Sequence, residues 1–418
     1  MYVAKKQADL SEDRTSKPLL LVFPFGHLSH YLRCLTLAKH FSSAFDIQFA
    51  YHNKYAGFLE EENFATFHCP SLDEGHVLDC VKKFDFSWIN EKTLEPVYHE
   101  QVKVIERLKP LAVLGDTSPT LKMAAEKAGV LYISLMNGYM SRHFSHVRKL
   151  SRTHPSYRLL KKLPRGVMDL FTQAGEYLSF YQVHKPFKKI RERQGLSSAR
   201  NYLDEMEGNI NLVCDLAELF PQTLLPPSYT LISPLFYEAS SSSTRLVEKL
   251  DKTKKTIFIS MGSTGDWNKV SFLNEPSFQQ YNLIAAGDAE NILVAPHIIK
   301  IDFAHVQELF PFTDLVICHG GNGTIYQSLA YGIPVLCKTN HFEQEWNVDA
   351  LERCKLGKSL DKVTGMQNHI TVVAEWIDKK AKGLGEYPNK IRVQRERLPE
   401  IINKITLKVI GYSNTVCN

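Results

Sequence analysis

Asp314-Leu-Val-Ile-Cys-His319-Gly-Gly-Asn-Gly-Thr324-Ile-Tyr-Gln327, followed by Gly332-Ile-Pro334 and then Glu343-Gln344, holds more structural information than any other part of this 418-residue chain. The apolar run Leu315–Cys318 ends in His-Gly-Gly-x-Gly-Thr, and a helical pattern begins at once. The order predicts a strand, a glycine loop and a helix N-terminus. Free backbone N–H groups and the positive end of the helix dipole face such a loop, so it binds anions, phosphate above all.

Outward from this segment, the same alternation recurs. Lys255-Thr-Ile-Phe-Ile-Ser260 reads as a strand ending in Met261-Gly-Ser-Thr-Gly265. Leu283–Ala286, Asn291–Ala295 and Val335–Cys337 also read as strands, and Pro388–Ile410 as a helix. In the first half, Pro18-Leu-Leu-Leu-Val-Phe23 has the length and apolar character of a buried strand, broken by Pro24-Phe-Gly26. Helical spacing follows at Leu28, Leu32, Leu35 and Ala38. Strands are expected at Phe45–Ala50, Leu111–Leu114 and Leu131–Leu135, with a helix near Thr120–Ala128. Strands alternating with helices imply parallel sheets covered on both faces. Pro221–Pro234 contains four prolines in fourteen residues, and Ser240–Ser243 is an unbroken serine run. A boundary placed near Phe236 divides the chain into residues 1–236 and 237–418, in keeping with a length too great for one core.

The composition, 44% apolar and 23% charged, is that of a globular enzyme, and no stretch approaches the ~20 apolar residues of a membrane span. Met1–Lys17 is polar and carries no apolar signal core. The eight cysteines include no Cys-x-x-Cys pair. A reduced, cytoplasmic setting is the simplest expectation. The net charge of +5 is unevenly distributed: Arg142 to Arg165 contains eight Lys/Arg and no Asp or Glu. A solvated face explains such a run. An anionic acceptor or a peripheral contact with an anionic membrane is the functional alternative. No nucleic-acid motif accompanies the charge, so nucleic acid is not an expected partner.

The donor-loop pattern, in its order and spacing, resembles the donor-binding segment of the UDP-glycosyltransferase superfamily. Four further landmarks follow family order: Phe23-Pro-Phe-Gly-His27-Leu-Ser-His30, Leu111-Ala-Val-Leu-Gly-Asp116, Asn211-Leu-Val-Cys-Asp-Leu-Ala-Glu-Leu219 and Ile257-Phe-Ile-Ser-Met-Gly262-Ser263. The resemblance implies the GT-B architecture, two doubly wound Rossmann-like domains facing a central cleft. The first would bind the acceptor and the second the nucleotide sugar, with the terminal helix able to pack back on the first. It implies an inverting hexosyltransferase that needs no metal and no cofactor.

Transfer from a nucleoside diphosphate sugar needs a base for the acceptor, stabilisation of the departing diphosphate and a grip on the sugar. His27 lies where a strand ends and a helix begins, and in the family the matching histidine is the base; capping its own helix is the structural alternative. His30 is a rival, standing where the family has proline. Asp116 ends a neighbouring strand, and its carboxylate would orient His27 or else cap the helix that follows. His319, with Gly321, Asn322, Gly323 and Thr324, would hold the diphosphate, and Gly262, Ser263 and Thr264 would approach the same phosphates or the sugar. Glu343 and Gln344 would bind sugar hydroxyls. Gln327 stands where the family commonly grips the ribose with glutamate, and this leaves both uridine and thymidine diphosphate sugars open, with uridine favoured. Walls from Phe25, Trp88 and the segment after Asn137 would receive a hydroxyl-bearing small molecule or lipid. A nucleotide-sugar epimerase and a catalytically silent partner protein are the competing readings. Retention of the Gly26-His27 and Glu343-Gln344 motifs argues against the first, and retention of His27, His319 and Gln344 against the second.

Overall fold

The computed structural model describes residues 17–238, 246–380 and 384–416; the serine run at 240–243 and residues 1–16 lie outside the described residues. The first half forms a seven-stranded sheet. Its strands are β1 (Leu19–Pro24), β2 (Asp46–Ala50), β3 (Ala65–Phe67), β4 (Ala112–Asp116), β5 (Leu131–Met136), β6 (Ile210–Val213) and β7 (Tyr229–Leu231), ordered β3-β2-β1-β4-β5-β6-β7. The second half forms a six-stranded sheet from β8 (Thr256–Ser260), β9 (Asn282–Ala286), β10 (Ile298–Ile301), β11 (Leu315–Cys318), β12 (Val335–Cys337) and β13 (Gly357–Ser359), ordered β10-β9-β8-β11-β12-β13. Every strand pairing is parallel. These are the two doubly wound domains of the GT-B architecture.

The continuous apolar runs arise because both faces of each sheet are covered. Along β1, Leu20 and Val22 pack with Leu35, Ala38 and Phe41 of the helix Leu28–Phe41. Leu21 and Phe23 point the other way, into a cluster with Leu94 and Tyr98 of the helix Glu91–Leu108 and Leu121 of the helix Leu121–Ala128. In β8, Ile257 and Ile259 share one core and Phe258 another. The period of two along each strand thus builds two cores per sheet.

One expected strand is not formed. Asn291–Ala295 is turn and loop, and the edge strand is Ile298–Ile301. Asn274 accepts hydrogen bonds from the backbone N–H groups of Val294 and Ala295 and so holds that apolar run out of the ladder. The basic segment is irregular up to residue 156, with helices at Tyr157–Leu160 and Arg165–Gln194.

The terminal helix Tyr387–Val416 belongs to both halves. Ile391 packs with Leu329 and Val335 of the second half. Leu398, Ile402, Ile405 and Val409, spaced along one helical stripe, pack with Leu20, Leu37 and Phe41 of the first. In each sheet the winding direction reverses between two central strands, β1 and β4 in one, β8 and β11 in the other. Ligands of doubly wound folds bind beyond the carboxyl ends of the strands at such a reversal.

Candidate active site

One cavity of about 750 Å³ lies between the halves, at both reversals. It is lined by His27, Gly262, Ser263, Thr264, His319, Gly321, Asn322, Gly323, Thr324, Gln327, Glu343 and Gln344. Asp116 is fully buried beneath the wall instead of facing the cavity. Phe25, Trp88, Asn137 and Tyr139 contribute to the first half's side, and Phe303 to the second's.

β1 and β4 end in register, Pro24 opposite Asp116, and the Phe25 N–H donates to the Asp116 carbonyl at 3.1 Å. The chain then enters the helix Leu28–Phe41 with His27 in extended conformation at its N-cap. His27 lines the cavity, and its side chain does not cap the helix. Burial, reinforced by His30, lowers its pKa to about 4.

The expected pairing of His27 with Asp116 is not formed. The Asp116 carboxylate faces the next helical turn, where His30 Nδ1 lies 2.9 Å from Oδ1. Arg33 donates to both oxygens, from Nη2 at 2.7 Å and Nε at 3.0 Å. Arg33 also donates to Asn137 Oδ1 at 2.5 Å. Burial raises the Asp116 pKa, but Arg33 and His30 outweigh that and hold it below the usual carboxylate range. His30 Nδ1 is also 3.1 Å from Arg33 Nη2. Nδ1 thus faces both a donor and an acceptor; in the tautomer with its proton on Nδ1 it donates to Asp116, and Nε2 keeps the lone pair. Spacing alone did not reveal this arrangement. His30 and Arg33 fall on the inner face of the first turns, and only the tertiary position of β4 brings Asp116 to them. Thr117, directly after Asp116, adopts φ 54 and donates to Oδ1 at 3.2 Å. A non-glycine residue in that region is strained, and such residues gather at functional sites.

On the second half, β11 ends at Cys318 and the helix Asn322–Ala330 begins four residues later. Between them the His319 imidazole is clasped by two glycines. A Cβ at Gly262 would lie 2.5 Å from His319 Cε1, and one at Gly321 only 2.4 Å from Nε2. Gly262 also has φ +55. Glycine at these two positions is therefore what admits the imidazole. Burial lowers the His319 pKa to about 4, against a lesser raising by the Ser260 backbone, and Nδ1 is buried with no partner. His341, buried beside it, is lowered to about 3 by burial, then by His319 and His27. Near neutral pH all three imidazoles are uncharged, so the donor side offers hydrogen bonds and backbone dipoles to an anion.

The remaining side chains are partly engaged. Asn322 Nδ2 donates to Asp215 Oδ1 at 3.1 Å, and Gly138 N–H donates to the other oxygen at 2.5 Å. Asp215, fully buried with its pKa raised to about 6 by burial, thus ties the donor loop to the first half. It lies within the landmark Asn211–Leu219, where no local pattern marks it out from its neighbours. Gln327 Nε2 donates to the Tyr237 carbonyl at 2.9 Å, leaving its amide oxygen as an acceptor. The Gln344 amide bridges two loops: Nε2 donates to Thr264 Oγ1 at 3.0 Å, and Oε1 accepts from Asn340 N–H at 2.7 Å. One N–H of Gln344 remains for a sugar, so the expected sugar-binding role is narrowed to that group. Glu343, in the first turn of the helix Phe342–Arg353, accepts from Tyr139 Oη at 3.5 Å. Burial raises its pKa, opposed by His30 and Arg33.

The family model of the glycosyltransferase family 28 C-terminal domain matches residues 237–404. A PGL/p-HBAD biosynthesis glycosyltransferase of Mycobacterium tuberculosis is 24% identical over 354 residues, covering 81% of this chain and 79% of that protein. Among solved structures, the spinosyn forosaminyltransferase SpnP aligns with a TM-score of 0.69 at 13% identity, covering 94% of this chain and all of the other. The glycosyltransferase VinC in complex with dTDP aligns at 0.66 with 14% identity, covering 94% and 100%. Together these matches mark the chain as a glycosyltransferase with the GT-B fold. This glycosyltransferase departs from the expected pairing: His30, and not His27 of the Gly-His pair, meets the buried Asp116. Among the described residues no cluster of His, Cys, Asp and Glu is placed to hold a metal ion, and no helix is long and apolar enough to cross a membrane.

Proposed function

We propose that this glycosyltransferase moves a hexosyl group, with inversion, from a pyrimidine nucleoside diphosphate sugar to a hydroxyl of a small-molecule or lipid acceptor, without a metal. One observation carries the reading: a single cavity sets the His30–Asp116 pair against the glycine-clasped His319 and the N-terminus of the helix Asn322–Ala330. The acceptor oxygen attacks the anomeric carbon from the side opposite the diphosphate. Its proton passes to His30 Nε2, and the carbon–oxygen bond to the diphosphate breaks with the electron pair leaving on phosphate oxygen. Asp116 holds the Nδ1–H tautomer of His30 and stabilises the imidazolium as it forms, and Arg33 fixes the Asp116 carboxylate in place. His319 and the 321–324 backbone receive the diphosphate charge. His27, uncharged and near the Glu74 carboxylate, makes no ion pair among the described residues and lines the acceptor side. Thymidine diphosphate, held by the structural relative VinC, stands beside uridine diphosphate as donor nucleotide.

The test is turnover of a nucleotide sugar with a hydroxyl-bearing acceptor panel, followed by mass spectrometry. His30→Ala should lower kcat at least about 100-fold, the contribution of a positioned base, with nucleotide affinity unchanged. If His27→Ala abolishes transfer while His30→Ala retains it, the base is His27 and the Asp116 pair is structural. Activity should survive a chelator, and a loss that added magnesium restores would contradict the metal-free mechanism.

A further inference from the structure

Eight of the fifteen large hydrophobic side chains exposed among the described residues fall between Leu159 and Tyr181. Val167, Leu170, Tyr177, Leu178 and Tyr181 form one stripe on the helix Arg165–Gln194, each reached from another by one or two helical turns. Leu170 is 67% exposed and Tyr177 69%, beyond what isolated surface side chains need explained. The opposite face of the same helix lines the active-site cavity with Thr172, Glu176, Ser179 and Val183. The helix therefore separates the cavity from an apolar outer stripe by its own width, about 10 Å.

The charges divide the same way. Four cations expected to form the basic run are spent internally. Arg142 pairs with Asp204 and Glu207, Arg148 with Glu176, Lys149 with Asp349, and Arg152 with Glu345 and Asp361. The sequence-based expectation of an anion-facing surface over all of Arg142–Arg165 is corrected to its distal end. There Arg158, Lys162 and Arg165 are exposed and make no ion pair among the described residues, and Lys161 is exposed over the Tyr157 ring. The only acids from residue 142 to 191 are Asp169 and Glu176, and Glu176 is turned inward to Arg148.

We propose that the helix pair Tyr157–Leu160 and Arg165–Gln194 docks on an anionic lipid bilayer, its apolar stripe in the headgroup boundary and its unpaired cations on lipid phosphates. An apolar stripe flanked by Lys and Arg is the composition of an interfacial helix, and complementary charge selects a bilayer over a neutral partner. This rests on the reading of the cavity as an acceptor site and names the acceptor class: an amphiphile drawn from the bilayer, its hydroxyl reaching His30 past a single helix.

The experiment is flotation of the full chain with phosphatidylglycerol–phosphatidylcholine vesicles. The protein should bind at low salt and detach at high salt, because screened charges attract less. One variant combines Arg158→Glu, Lys162→Glu and Arg165→Glu. Each cation near an anionic surface contributes a factor of about five, so partitioning should fall at least about 100-fold. A second variant combines Leu170→Ser, Tyr177→Ser and Leu178→Ser and should detach while keeping nucleotide affinity, since none of these residues lines the cavity. Wild-type protein that ignores anionic vesicles at low salt, or variants that bind like wild type, would overturn the proposal. So would light scattering that shows a dimer converted to monomer by the serine variant, which would make the stripe a contact between copies of the chain. Vesicle binding needs no turnover, so its failure leaves the transfer reaction standing.

Discussion

Three uncharged imidazoles line the cavity between the two halves, and their cost appears on acidification. His27, His319 and His341 have pKa values lowered to about 4, about 4 and about 3, chiefly by burial. The unfolded chain takes up these protons near the ordinary histidine value of about 6.5, the folded chain only near 4. Between those values the unfolded state binds more protons, so stability is present above about pH 6.5 and is lost as pH falls through that window. Denaturant titrations at pH 7.5 and 5 should show the loss, and His341→Gln should shrink it. A slope that the substitution leaves unchanged would show that His341 is not buried uncharged. A bound diphosphate reverses the sign at His319, because its negative charge favours the imidazolium. Diphosphate affinity should therefore rise as pH falls toward 5, with proton uptake visible as buffer-dependent calorimetric heat. Gly262→Ala should weaken diphosphate binding by at least about tenfold, since a methyl group there meets the imidazole edge in a close-packed site, while nucleoside affinity stays. At this scale the sequence was legible where chemistry is local. The glycine loop, His319 and His27 announced themselves by motif. The partner of Asp116 did not, because the choice between His27 and His30 depends on how one helical turn is rotated against β4.

Helices and strands were readable where burial is uniform. β1, β4, β8 and β11 are apolar on both faces, and short length between turn residues, not a period, marks them as strands. Asn291–Ala295 has the same local character, but a tertiary hydrogen bond from Asn274 captured it, and no pattern within the run reports that. The basic segment misled for a related reason. A cation paired to a distant acid and a cation facing solvent look alike in sequence, and half of this run's charges found acids 28 to 209 residues away. The terminal helix shows the reverse case, a plain amphipathic stripe whose destination is unreadable. Ile402 is 1% exposed in the core of the first domain, far along the chain from its neighbours. Ile402→Ala should cost about 2–5 kcal/mol, the usual toll of a large-to-small change in a packed core. Chemical denaturation measures it, and a change below about 1 kcal/mol would mean that the helix frays from the first domain in solution.

The whole molecule is two sheets locked by polar bridges around the cleft. Asp215 of the first half holds Asn322, the Leu216 N–H donates to Tyr326 Oη at 3.1 Å, and Trp346 Nε1 donates to the Lys149 carbonyl at 2.9 Å. Arg152 is the most heavily used of these links. Its Nε donates to Glu345 Oε1 at 2.9 Å, its backbone N–H to Oε2 at 3.0 Å, and its Nη2 to Asp361 at 2.6 Å and to Thr339 at 2.7 Å. Such a network joins the segment around Arg152 to the helix Phe342–Arg353, which lines the cavity with Glu343 and Gln344, and to the loop at Asp361. Removing the guanidinium leaves Glu345 and Asp361, with side chains 13% and 7% exposed, as two mostly buried carboxylates without their cation. Breaking a buried pair from one side costs about 3–5 kcal/mol, and the partial exposure of Arg152 places this case toward about 2–3 kcal/mol. Because the link spans the halves, the loss should fall on their coupling as well as on total stability. Wild-type protein should unfold in a single calorimetric transition, and Arg152→Ala should broaden or split it. Arg152→Lys, which keeps the charge but not the fork of donors, should recover only part of the loss. If Arg152→Ala lowers the melting temperature while the transition stays single and sharp, the bridge stabilises its own neighbourhood, and the terminal helix alone couples the two domains.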